Sequence, residues 1–130
     1  MTTWIYPDNV LVAILHTCSP DMSSFPSDRE LLHSAFHTLA QQFPAQMQSF
    51  RFRQNGFFYE SEALDQAFAN LEASGLLERH NSSPRRYYIQ PQLEMAYQSF
   101  VLSELMDAGF EESTIEQLGS VFESQVHVTG

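Results

Sequence analysis

His33 and His37 stand four residues apart, a spacing that can bring two imidazoles to one metal from a single helical face, and Glu30 lies one turn earlier. No acid separates them as in the zinc-protease pattern, and no other His or Cys shows ligand spacing, so an exposed helical face is expected and no metal or cofactor is assigned. His16 and Cys18 are two apart and would point to different sides of a helix, which disfavours a thiolate–imidazole pair and leaves Cys18 a buried, inert thiol. Ser, His and Asp are numerous, yet no local motif supplies the positioned base and orienter that nucleophilic catalysis needs. An enzyme is therefore not the expectation.

Recognition chemistry has more support. All six basic residues are Arg, against sixteen acids and a formal charge of -10. Residues 1–50 hold four acids and Arg29, residues 51–86 hold five acids and five Arg, and residues 87–130 hold seven acids and neither Arg nor Lys. A chain this acidic repels phosphate backbones, so strong non-specific nucleic-acid binding is disfavoured. Arg51 and Arg53, two apart in an extended run, should point the same way, opposite Phe50 and Phe52. With Arg79, Arg85 and Arg86 they could form one patch that holds phosphate, an acidic partner or the chain's own acidic C-terminal part. Phe57 and Phe58 are consecutive in the same extended run, so one of them should be exposed or meet a partner.

These residues need elements to hold them. Pro7-Asp8-Asn9 followed by Val10, Leu11, Ile14, Leu15 and Cys18 predicts a short helix with one apolar face. Residues 19–27 are rich in turn formers, and Ser27 with Glu30 has the spacing of a capping box opening a second helix that Pro44 ends. Two short strands are expected around Asn55-Gly56. Ser61 then caps a helix with Leu64, Ala67, Phe68 and Leu71 on one face, closed by Gly75. Leu76–Arg79 and Tyr87–Ile89 flank a turn-rich tip and read as a hairpin. A long amphipathic helix follows Pro91 and stops at Gly109; beyond it a short helix carries Ile115, Leu118 and Phe122, interrupted at Gly119 and frayed from Gln125. The one Cys excludes an internal disulfide, and the apolar stretch from Val10 to Leu15 is too short for a membrane helix, so a cytoplasmic protein is expected.

The run Gly56-Phe57-Phe58-Tyr59-Glu60-Ser61-Glu62-Ala63-Leu64, then Leu71-Glu72-Ala73-Ser74-Gly75-Leu76-Leu77 and Tyr87-Tyr88-Ile89, resembles the second half of winged-helix domains. It looks most like prokaryotic versions in which Gly-Pro-Tyr-Ser precedes the helix, including antitoxin-like and phage- or plasmid-linked proteins. Here no Pro follows Gly56, and extra aromatics separate it from Ser61. The resemblance implies a mainly α fold with a small β component: a winged-helix-like bundle of about five helices with a two-stranded wing. It would form a single domain over residues 1–130, with the winged-helix-like core over 28–90 and a C-terminal helical extension over 92–125.

Such folds serve DNA binding and protein docking alike. In a DNA reader the helix after Ser61 would enter the major groove, with Gln66 and Asn70 on adenine edges and Arg79, Arg85 and Arg86 on phosphate. Glu62 and Asp65 would then sit near phosphate and repel it. The leading expectation is accordingly an adaptor, antitoxin-like inhibitor or accessory subunit that binds a protein, with a sequence-specific DNA-binding regulator as the alternative and a metal-dependent or hydrolytic enzyme third. A homodimer through the C-terminal helices would bury Tyr97, Phe100 and Leu105.

Overall fold

The computed structural model describes residues 5–18, 22–82 and 85–127, the last without its side chain. The fold is mainly α with a small β component, as expected. Helix α1 (Pro7–His16) sits at its centre: all six residues from Val10 to Leu15 are buried, so the expected one-sided amphipathic helix is instead apolar all round. Its neighbours explain this, since the helices Glu62–Ala73 and Glu112–His127 and the helical rod over residues 92–107 all pack on it. Its start has no side-chain cap; Pro7 opens the first turn, where a missing N–H costs nothing.

Residues 24–26 are not turn, as expected, but strand β1 (Ser24–Pro26). It joins the hairpin of β4 (Leu77–His80) and β5 (Arg86–Ile89) in an antiparallel sheet of order β1-β5-β4, with Phe25 opposite Tyr87. The fully buried Phe25 pulls this strand in, and Pro26 is tolerated because β1 is an edge. The Ser27–Glu30 capping box does not form. Asp28 occupies the N-cap of α2 (Arg29–Gln42) without a side-chain bond, while the Ser27 N–H extends the sheet by donating to the Arg85 carbonyl at 3.3 Å.

Strands β2 (Arg53–Asn55) and β3 (Phe58–Glu60) form a second antiparallel pair around a two-residue loop, Gly56-Phe57. Gly56 takes φ +64°, the positive value that a tight hairpin asks of its first loop residue. Arg51 precedes the strand, so only Arg53 of the two lies within it. Helix α3 (Glu62–Ala73) begins at Ser61, whose hydroxyl accepts from the Leu64 N–H, and ends before Gly75 at φ +77°. Both boundaries are those the sequence predicts.

Beyond β5, α4 (Gln92–Ala96), a π-helical turn (Tyr97–Val101) and α5 (Leu102–Asp107) run end to end as one rod. Leu93, Tyr97, Val101 and Leu105 are buried at strict four-residue spacing. In a straight α-helix such a row drifts round the axis; the wider π turn rotates less per residue and brings it back to the core. Helix α6 (Glu112–His127) is uninterrupted at Gly119, contrary to expectation. A Cβ there would lie 2.1 Å from the Thr17 Oγ1, so the missing side chain is what lets α1 and α6 meet closely. The tail from residue 128 lies outside the described residues. Counting the rod once, the described residues form five helices around one apolar cluster drawn from both halves of the chain. Among the described residues, no helix is long and apolar enough to cross a membrane.

Candidate functional site

The densest polar arrangement joins α2, the β2–β3 hairpin and the first turn of α3. Arg29 spans two carboxylates: its Nε and Nη2 donate to Asp65 at 3.1 and 2.7 Å, and Nη2 also reaches Glu60 Oε2 at 2.9 Å. Glu60, buried at the end of β3, also accepts from Arg53 Nε and from Asn55 Nδ2, both at 3.1 Å. Arg29, outweighing partial desolvation and helped by Arg53, holds the Glu60 carboxyl below its usual range. Asp65 is also lowered: burial pushes it up, but the Arg29 and His33 hydrogen bonds prevail.

His33, expected on an exposed face, is 2% exposed inside this clasp. Its Nδ1 accepts the Ser61 backbone N–H at 3.0 Å, so Nε2 carries the hydrogen and donates to Asp65 Oδ1 at 2.8 Å. Burial lowers its pKa, with Asp65 opposing the shift. The pair has the look of an Asp–His dyad, but the nitrogen opposite the acid is spent on backbone and the Ser61 hydroxyl caps α3. No ring nitrogen remains to move a proton for a substrate. His33 and His37 do not converge either: His37 stacks on Tyr59 at 4.0 Å and touches Phe52 at 5.3 Å. Among the described residues, no three His, Cys, Asp or Glu side chains are grouped to hold a metal. Cys18 is buried against the Ile14 carbonyl; burial, with a contribution from Glu123, pushes its thiol up to about 12, which leaves it unreactive.

The five arginines expected in one patch are divided. Arg51 and Arg53 rim a cavity of about 470 Å³ with Pro7, Phe52 and Ala63. Arg79 and Arg85 face a different cleft together with Arg29, which lies fifty positions from Arg79 in the sequence. Arg86 turns away and donates to Ser24, through Nε to Oγ at 2.9 Å and through Nη2 to the carbonyl at 3.0 Å. Arg79 pairs with Glu72 at 3.2 Å, and Arg53 reaches Glu62 at 3.5 Å as well as Glu60. Gln66 and Asn70 bond each other at 2.9 Å, and Asn70 donates to Asp8 at 3.0 Å, so both amides are engaged within the protein.

The two aromatics behave as alternation requires. Phe57 is 95% exposed at the hairpin apex, whereas Phe58 is half-buried edge-on to His33 with the Arg29 guanidinium 5.7 Å from its ring centroid. In the C-terminal rod Tyr97 and Leu105 are interior, Tyr97 stacking on His16 at 4.1 Å. Pairing through this rod would therefore have to use the exposed Met95, Phe100 and Met106. Compared with family models, curated proteins and solved structures, the chain matches none.

Proposed function

We propose that this chain is a small acidic winged-helix-like protein that acts by binding another protein, as an adaptor, antitoxin-like inhibitor or accessory subunit. The order α1-β1-α2-β2-β3-α3-β4-β5, in which α3 leads directly into the β4–β5 hairpin and β1 joins that hairpin, supports the winged-helix-like reading, with β2–β3 as an insertion between α2 and α3. The observation that carries the docking reading is Phe57. It is almost fully exposed at the apex of a hairpin whose base is fixed to α2 through Glu60 and Arg29, and exposed Tyr59 stands beside it. A large aromatic presented on a rigid support loses little entropy on binding, which is what an interface anchor needs.

Other features weigh against duplex reading. A helix-turn-helix joins its helices by about three to four residues, whereas residues 43–61 separate α2 from α3 here. The groove-facing candidates Gln66 and Asn70 are engaged with each other and with Asp8, and Asp65 adds an acid to the same helix.

Affinity capture from the source cells with wild type and Phe57→Ser side by side tests this. A stoichiometric protein recovered by wild type and lost by the equally stable variant is the expected result. Tight binding of a mixed-sequence duplex at physiological salt, with no protein recovered, would reverse it in favour of a DNA-binding regulator.

A further inference from the structure

The chain holds six cations in all, and three of them, Arg29, Arg79 and Arg85, line one cleft of about 440 Å³ with Ser27, Asp28 and Asn81. We propose that this cleft, between the β1–α2 junction and the tip end of the β4–β5 hairpin, binds a single phosphate-type oxyanion carried on a protein partner.

The lining supplies the donors. Arg29 commits Nε and Nη2 to Asp65 and Glu60, and Arg79 commits Nε to Glu72, which among the described residues leaves Nη1 of Arg29 and both outer nitrogens of Arg79 unspent. Arg85 is exposed and forms no ion pair among the described residues. Planar guanidinium forks match an oxyanion's geometry, and the Asn81 amide adds a neutral donor. Glu60, Asp65 and Glu72 serve here to hold Arg29 and Arg79 in place. Asp28, the acid that lines the cleft itself, makes no capping bond to its helix and opposes the ligand.

The same geometry selects the carrier. A polyanion needs a continuous basic track, but Arg51 and Arg53 rim another cavity, Arg86 is tied to Ser24, and residues 87–130 hold seven acids without an Arg or Lys. One isolated cationic cleft on a chain of charge -10 suits one dianionic group and rejects a long backbone. The carrier rests on the protein-docking reading above; the cleft itself does not.

The test is titration of the full-length protein with inorganic phosphate at constant ionic strength, followed by NMR, with a phosphoserine peptide and a mixed-sequence duplex as second and third probes. Saturable shifts confined to residues 27–29 and to Arg79, Asn81 and Arg85 are expected. Arg85→Gln should weaken binding about tenfold, as loss of a charge-assisted contact does, and Asp28→Asn should tighten it severalfold. Because Arg85 forms no ion pair among the described residues, its variant should keep the wild-type melting temperature, so the loss reads as binding. Shifts that do not saturate, that spread over all six Arg, or that ignore both substitutions would overturn the site. Duplex binding tighter than the phosphopeptide at the same residues would overturn the carrier. Loss of partner capture in Phe57→Ser with phosphate binding intact separates this inference from the docking reading.

Discussion

Helix α2 lies between two joints built on opposite principles. On one side Phe36 meets Phe68, Phe50 and the α6 ring Phe122, with ring centroids 5.3–6.2 Å apart and no polar group involved. On the other, Arg29 and His33 hold the hairpin and α3 through Glu60, Asp65 and the Ser61 N–H. The apolar joint is non-directional and holds no group that titrates. The polar joint fixes geometry, and its strength depends on which protons are present. A protein that must present Phe57 in one place has reason to hold its hairpin by directional bonds.

The comparison is most severely tested on the apolar side. Phe36→Ala should cost about 3–5 kcal/mol, read as a lower denaturation midpoint with its pH dependence unchanged. A large change in pH dependence would mean that the two joints are one. Gly119→Ala comes next. Alanine favours a helix over glycine by about 1 kcal/mol, but the new methyl would meet Thr17 Oγ1 at 2.1 Å and the Thr17 backbone carbon at 3.0 Å. The clash should win, with a net loss of about 1–3 kcal/mol. Thr17→Ala in the same chain should recover only part of this, because the backbone contact remains. Stabilisation by Gly119→Ala alone would show that α1 and α6 are not packed so closely.

The polar joint should respond to protons. His33→Ala strips the Ser61 N–H of its acceptor and Asp65 of a donor, a loss of about 1–3 kcal/mol at neutral pH. The sign of the wild-type pH dependence follows from burial. His33 titrates below its usual 6.5 in the folded state, so as pH falls through 6.5 the unfolded chain takes up a proton that the native ring refuses, and stability drops. Protonation would also set an Nδ1–H against the Ser61 N–H. His16, likewise lowered by burial, adds to the same window, so the diagnostic is the part of the slope that vanishes in His33→Ala. Asp65 and Glu60, held below their usual values, stabilise above those values and lose that contribution only in stronger acid.

Legibility in the sequence divides along the same line. Helix α3 could be read from its ends, because Ser61 and Gly75 act on neighbouring backbone. The buried face of α3, Leu64, Ala67, Phe68 and Leu71, is also visible from periodicity, as is the opposed placement of Phe57 and Phe58. What the sequence hid is settled by distant partners. Strand β1 forms because Phe25 finds Tyr87, and Gly119 continues its helix because Thr17 lies against it. His33 looked exposed because its acceptor and donor come from residues about thirty positions away. Its place beside Leu32 and one turn before Phe36, on the flank of the apolar stripe, was the signal available. The arginines were grouped by type, while the fold sorts them by which carboxylate each can reach.

The smallest effect belongs to the outer rim of the polar joint, and it sharpens the contrast most. Arg53 is 69% exposed along its side chain, and its pairs with Glu60 and Glu62 span 3.1 and 3.5 Å. Exposed pairs of this kind contribute about 0–1 kcal/mol and are screened by salt. Arg53→Ala should therefore shift the midpoint by less than about 1 kcal/mol, and the difference from wild type should shrink as salt is raised. Glu60 still keeps Arg29 and Asn55 in that variant, so the hairpin stays seated and amide exchange near Phe57 should be unchanged. Faster exchange across 53–60 in Arg53→Ala would instead place the hold on the rim, and the His33 and Arg29 contacts would lose their standing as what positions Phe57.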